Sequence, residues 1–282
     1  MEILNRGDAL QAWTAQMRAE GLRVGFVPTM GALHEGHLTL IRKARQACDR
    51  VLASIFVNPT QFGPGEDYDR YPRDEARDRA LLEGEGCDAL FLPTVEEIYP
   101  TGRQTVVRVG AMSRVLCGAS RPGHFEGVTT VVAILLNRTQ PQRLYLGLKD
   151  YQQVCVISRM VQDLGMPVEV VGVETVREAD GLALSSRNRY LTSEQRQQAT
   201  ALNRALEAVR ARYRQGERGG ETLSSLARAV LMESGLDRID YVALCQSDTL
   251  LPLPQAGEDP IMLLAVHVGG ARLIDNRFLA RD

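Results

Sequence analysis

Short apolar runs alternate with helical patterns over the first two thirds of this 282-residue chain, and that rhythm predicts an α/β fold. The expected architecture is a parallel sheet covered by helices on both faces, followed by a smaller α+β domain. Strands are expected at residues 23–27, 51–57, 89–92, 143–146 and 168–173, with helices around 8–20, 38–48, 73–84, 128–137 and 152–164. The second observation is a change of texture near residues 174–190, where the βα alternation stops. Thr192, followed three residues later by Gln195, makes a capping box, and the helix that it opens carries Leu202, Leu206, Val209 and Tyr213 on one face as far as Gly216. A further helix near 223–234 and strands at 239–244, 261–266 and 271–274 complete the pattern. The domain boundary is therefore placed between residues 176 and 177, giving a first domain of 1–176 and a second of 177–282. No internal repeat or low-complexity tract interrupts either part.

Composition narrows the function. Apolar residues make up 44% and charged residues 24%, ordinary globular usage that argues against disorder. With 33 basic and 35 acidic residues the net charge is −2, so a general nucleic-acid or membrane-surface binder is not suggested and any anion binding must be local. Five scattered cysteines (Cys48, Cys87, Cys117, Cys155, Cys245) include no C-x-x-C pair, which suggests neither a disulfide framework nor a zinc site. The N-terminus lacks a basic stretch followed by an apolar one, and no segment approaches the ~20 apolar residues of a membrane span. The expectation is a soluble cytoplasmic protein. Of the 33 basic residues only Lys43 and Lys149 are lysine, leaving 31 arginines. Lys43 falls on a solvent-like helix face, whereas Lys149 sits in Gly147-Leu148-Lys149-Asp150 after an apolar strand. A compact ammonium there can meet a phosphate oxygen as a point charge, which the planar guanidinium fork does less well.

The most telling segment is Val27-Pro28-Thr29-Met30-Gly31-Ala32-Leu33-His34-Glu35-Gly36-His37, where a strand gives way to a glycine-containing turn and two histidines open a helix. Free backbone N–H groups and the helix dipole favour an anion at such a turn. Imidazoles three positions apart share a helix face and can donate to phosphate oxygens or carry a proton. Their spacing differs from the H-E-x-x-H of zinc helices. Taken alone, H-x-G-H fits equally well two histidines at a surface helix start.

Four more segments bear on chemistry. Phe56-Val57-Asn58-Pro59-Thr60-Gln61-Phe62 places two uncharged amides after a strand, suited to hydroxyl and carboxylate groups. Ser120-Arg121-Pro122-Gly123-His124 puts a third histidine in a turn ahead of the most apolar helix. Gly147-Leu148-Lys149-Asp150-Tyr151-Gln152-Gln153 adds the rare lysine, a carboxylate able to accept ribose hydroxyls, and Gln153 at a helix start. Leu184-Ser185-Ser186-Arg187 offers hydroxyls and a guanidinium for phosphate.

Together and in order, V-P-T-M-G-x-L-H-x-G-H, F-V-N-P-x-Q-F, Y-P-R, S-R-P-G-H-F-x-G-V, G-x-K-D-x-Q-Q, G-L-A-L-S-S-R-N and the terminal L-I-D-N resemble the pantothenate synthetase (pantoate–beta-alanine ligase) family from end to end, within the H-x-G-H nucleotidyl transferases. The resemblance implies a Rossmann-like N-terminal domain, a smaller C-terminal lid and a homodimer. It implies ATP-dependent joining of pantoate and beta-alanine through a pantoyl adenylate, with ATP and Mg²⁺ as cofactors and pyrophosphate and AMP released. By the same carry-over His37, His34 and Lys149 are catalytic, His37 as proton donor. Met30, Gly31, Ala32, Leu33, His34, Glu35, Gly36 and His37 line the ATP site, with Gly147, Leu148, Lys149, Asp150 and Val176. Leu184, Ser185, Ser186 and Arg187 would close over the phosphates and keep water from the adenylate. Gln61 and Gln153 would hold pantoate, and Asn58 and His124 are further pocket candidates. The chain departs from the family pattern at Leu148, where a polar residue is usual, at Cys117, where Glu is usual, and at Glu126, often Arg or small. Another H-x-G-H transferase acting on a different acid, and a nucleotide-binding module without turnover, are the competing readings.

Overall fold

Six strands pair in one all-parallel sheet and three in an antiparallel one in the computed structural model, which describes residues 1–281. In chain order the first elements are β1 (Glu2–Leu4), α1 (Gly7–Ala19), β2 (Val24–Thr29), α2 (Glu35–Ala47), β3 (Arg50–Ile55), α3 (Glu75–Gly84), β4 (Ala89–Phe91), α4 (Val95–Ile98) and α5 (Cys117–Ser120). There follow α6 (His124–Thr139), β5 (Arg143–Gly147), α7 (Tyr151–Asp163), β6 (Glu169–Val173), α8 (Ser193–Ala199), α9 (Ala201–Arg214), α10 (Gly220–Glu233), β7 (Ile239–Gln246), β8 (Pro260–Val268) and β9 (Ala271–Phe278). The chain divides into two units: Met1–Ser113, Arg121–Leu148 and Gln153–Glu174 form the first, and Arg114–Ser120, Lys149–Gln152 and the chain from Thr175 onward form the second. The main crossing thus falls two residues before the expected boundary, and two short segments of the expected first domain cluster with the second unit.

In the first unit the strand order is β1-β4-β3-β2-β5-β6. Strands covered on both faces read as continuous apolar runs, and Phe26, Val27, Val51, Leu52, Ala53 and Leu90 are all fully buried. The amphipathic face of α2, carrying Leu40, Ile41 and Ala44, packs against Val27, Val51 and Tyr145. From β2 the chain steps to β3 on one side, while β5 pairs with β2 on the other. That reversal makes the carboxyl ends of β2 and β5 the topological switch point, the place where open α/β sheets bind ligands.

The second unit has its own core. Leu202, Leu206 and Val209 of α9, with Leu223 and Leu231 of α10, cover one face of the β7-β8-β9 sheet through Met262, Leu264 and Val266. Arg177 clamps Asp275 of β9 in a bidentate pair at 2.7 and 2.9 Å, a geometry that fixes orientation as well as charge. Among the described residues no helix is long and apolar enough to cross a membrane, and all five cysteines are free. Burial pushes the Cys87 thiol up to about 12 and that of Cys245 up to about 11.

Several elements depart from the expected bounds. β1, unassigned in the sequence, adds a short parallel strand beside β4. Helix α2 starts three residues earlier than expected and α6 four earlier, so His37 and His124 lie within helices rather than ahead of them. The single helix expected through residues 192–216 is broken into α8 and α9 at Thr200. There the Thr200 hydroxyl donates to the Gln197 carbonyl at 2.7 Å, the local competition by which threonine bends or ends helices.

Candidate active site

The turn between β2 and α2 is shaped from below by a carboxylate. Gly31 (φ 79°) and Ala32 (φ 51°) both take left-handed backbone conformations, which is costly for alanine. Asp78 of α3, 1% exposed, accepts the Ala32 N–H at 2.7 Å and the Leu33 N–H at 2.8 Å. Arg77 closes the clamp by donating to the Leu33 carbonyl at 3.0 Å. A Cβ on Gly31 would stand 3.0 Å from both Asp78 Oδ2 and Ile55 Cγ2, so glycine suits that position for space as well as φ. Burial raises the Asp78 carboxyl above the usual carboxylate range, with the two backbone N–H groups opposing the shift. The amides of Ala32 and Leu33 are therefore spent inside the protein, while the helix start at Glu35–His37 retains its dipole.

His34 is the N-cap residue of α2 and His37 lies one turn in; their rings are 4.1 Å apart between centroids. The His34 backbone N–H donates to His37 Nδ1 at 3.3 Å. An Nδ1 that accepts leaves the neutral ring's proton on Nε2. Both histidines are half-buried, as is Met30.

Beside this turn, Gln61 places its Nε2 3.2 Å from Met30 Sδ. Asn58, 1% exposed, donates to Gln61 Oε1 at 3.0 Å and to the Gly127 carbonyl at 3.2 Å, and caps the 3₁₀ turn Pro59–Gln61. Its polar atoms are thus engaged within the protein. His124, the first residue of α6, sits with Nδ1 2.8 Å from the Gln61 carbonyl and Nε2 3.1 Å from Arg121. Because the carbonyl and the guanidinium dictate donor and acceptor, the neutral Nδ1–H form fits. Arg121 also pairs with Glu66 at 2.5 Å. Gly127 lets α6 approach: a Cβ there would come 2.4 Å from the Thr60 carbonyl oxygen. Gly127→Ala is expected to cost about 1–3 kcal/mol of stability through overpacking and to displace Gln61, which chemical denaturation would read.

In the second unit Lys149, Ser185, Asn188, Leu202, Ile274 and Asp275 line one small cavity. The Lys149 ammonium is 3.6 Å from the Asp150 carboxylate, and the Lys149 carbonyl accepts from Asn276 at 2.9 Å. Val176 and Leu184 face each other across a short hairpin, the Leu184 N–H donating to Val176 at 3.0 Å. Ser185 caps the following 3₁₀ turn through the Arg187 N–H; Arg187 is half-buried and Ser186 fully so. Gln153, on the first turn of α7, is half-buried. Among the described residues no group of three or more His, Cys, Asp or Glu side chains is placed to hold a metal ion.

The three departures from the family pattern have local partners. Leu148 rests on Gly172 of the neighbouring strand, where an added Cβ would stand 2.6 Å from its Cδ2. Cys117 Sγ lies 3.1 Å from Tyr241 Oη and 3.5 Å from Arg272. Glu126 pairs with Arg108 at 2.6 Å. Sequence reasoning missed Asp78, although one signal was present: it lies four residues before buried Leu82, on the core face of α3, where an acidic residue demands a partner.

The geometry has close counterparts. A family model described as pantoate-beta-alanine ligase matches residues 2–278. The pantothenate synthetase of Moorella thermoacetica is 55% identical over 276 residues, covering 98% of each chain. The crystal structure of pantothenate synthetase from Thermus thermophilus superposes with a TM-score of 0.94 at 50% identity, over 100% of both chains. A pantoate-beta-alanine ligase from Francisella tularensis, complexed with beta-gamma ATP and beta-alanine, is 36% identical with a TM-score of 0.83, covering 100% of this chain and 99% of that one. A match of sequence and fold along nearly the whole length leaves one assignment: the chain belongs to the pantoate-beta-alanine ligase family of enzymes.

Proposed function

We propose that this enzyme activates pantoate as its adenylate before amide formation. In the first step a pantoate carboxylate oxygen attacks the α-phosphorus of ATP, and the bond from that phosphorus to the bridging oxygen breaks to release pyrophosphate. In the second the amine of beta-alanine attacks the acyl carbon, AMP leaves with the former carboxylate oxygen, and the nitrogen gives up a proton. The observation that carries the reading is the clamped β2–α2 turn, which holds His34 and His37 at a helix start at the switch point of the sheet.

Negative charge grows on the phosphate oxygens as the pentavalent state forms, and pre-positioned donors stabilise it without reorganising. His37, donating from Nε2, and His34 serve that charge, as do Lys149, Ser185 and Arg187 by their donor chemistry. The backbone of Gly31, Ala32, Leu33 and Glu35 shapes the wall on the nucleotide, and Gly147, Asp150 and Val176 take the ribose and adenine. The donor set suits phosphate oxygens rather than a cation, so Mg²⁺ belongs with the nucleotide's phosphates, where it neutralises charge. Gln61 and Gln153 hold pantoate; Asn58 and His124 act by holding Gln61. The same reading carries the homodimer and the cytoplasmic setting of the family.

Pantoate-dependent exchange of labelled pyrophosphate into ATP, measured without beta-alanine, tests the two-step scheme. Exchange that requires pantoate is expected. Amide formation with no exchange would overturn the adenylate, and exchange supported better by another acid would overturn the substrate.

A further inference from the structure

A glutamine amide can present either its oxygen or its nitrogen to a ligand, and at Gln61 a chain of three residues decides which. Asn58 lies between two backbone groups of opposite character: the Thr60 N–H at 3.3 Å from Oδ1 and the Gly127 carbonyl at 3.2 Å from Nδ2. A carbonyl only accepts and an N–H only donates, so the orientation of Asn58 is determined. Its Nδ2 must then donate to Gln61, whose Oε1 is consumed at 3.0 Å. The remaining Gln61 nitrogen faces Met30 Sδ, a weak acceptor, and keeps hydrogens for a ligand. The shortest bond onto Asn58 comes from Tyr99, at the end of α4, whose hydroxyl donates to Oδ1 at 2.7 Å and lies 3.0 Å from Thr60 Oγ1. Burial raises the Tyr99 phenol above its usual range, so it remains a protonated donor.

We propose that Tyr99 is a positioning residue which, through Asn58, holds the Gln61 amide as a donor and so restricts the substrate group opposite it to a hydrogen-bond acceptor, a carboxylate or hydroxyl oxygen. The proposal rests on the reading of Gln61 as a pantoate contact. Tyr99→Phe keeps the ring, its edge contact with Phe56 at 6.1 Å and the Arg103 guanidinium above it, and removes only the oxygen. Loss of one neutral hydrogen bond predicts a rise in the pantoate KM of about fivefold, equal to about 1 kcal/mol. The KM for ATP and the melting temperature should stay near their wild-type values. Thr60→Val, which deletes another donor to Asn58, should move the pantoate KM in the same direction.

Steady-state kinetics of Tyr99→Phe, Gln61→Ala and the double variant separate the possibilities. If Tyr99 acts through Gln61, adding Tyr99→Phe to Gln61→Ala raises the pantoate KM no further. A raised KM in Gln61→Ala with no change in Tyr99→Phe or Thr60→Val overturns the proposal alone, as does full additivity of the two changes. An unchanged pantoate KM in Gln61→Ala overturns the reading of Gln61, and the proposal falls with it.

Discussion

Replacing His37 by alanine should lower kcat for amide formation by about a hundred- to a thousandfold, the size of effect seen when one pre-positioned transition-state donor is lost. The two ring nitrogens do different work, and two shorter substitutions can separate them. Nδ1 accepts the His34 N–H at 3.3 Å and so belongs to the helix start, while Nε2 carries the ring proton. Asparagine reaches about as far as Nδ1 and can keep the cap; glutamine reaches about as far as Nε2 and can keep the donor. His37→Gln should therefore retain more activity than His37→Asn, and His37→Asn should melt closer to wild type. Kinetics and thermal melts on the same three proteins check this. Equal activity of the Asn variant and the wild type would show that capping, not donation, is what His37 supplies.

The second large effect is expected at Asp78. Asp78→Ala strands the N–H groups of Ala32 and Leu33 in a buried setting, at about 1–3 kcal/mol each. A total of about 2–6 kcal/mol corresponds to a fall in melting temperature of roughly 5–15 °C. Because the released turn carries His34, the ATP KM should rise as well, about tenfold or more if the turn adopts a competing conformation that must be reversed on binding. Asp78→Asn fits the same space but opposes an NH₂ group to one of the two N–H donors, so it should weaken ATP binding almost as much. The wild-type carboxyl lies above the usual range because it is buried. Lowering the pH should accordingly protonate it before exposed aspartates, leaving one acceptor for two donors, and ATP affinity should fall on the acid side. That acid limb should be missing from Asp78→Asn, which isothermal titration of ATP across pH can show.

What the sequence revealed followed the reach of local patterns. The parallel core strands were readable because burial on both faces makes them continuous apolar runs, and Phe26, Leu52 and Leu90 are indeed fully buried. The early starts of α2 and α6 were not readable, since Glu35-Gly36-His37 and His124 to Gly127 carry little apolar periodicity. The edge strand β1 has three residues, too few to show a period. Among the candidate residues, the H-x-G-H turn was conspicuous because its glycines and histidines are adjacent in the chain. Its clamp was not, because Asp78 meets Ala32 and Leu33 from 46 and 45 positions away. Asn58 illustrates the same limit: an amide open to a ligand and one spent inside the protein look alike in sequence, and only its bonds to Gly127 and Tyr99 distinguish them.

In many nucleotide sites a glycine-rich turn is organised by the phosphate it binds, its amides converging on the guest. Here two of those amides already converge on a resident anion, the Asp78 carboxylate. The turn thus comes with its counter-charge built in, and the entropy of ordering it is settled when the chain folds rather than on ligand binding. On the proposed reading, discrimination between charge states of incoming phosphates falls to side chains that can titrate or move, with the backbone beneath them a fixed template.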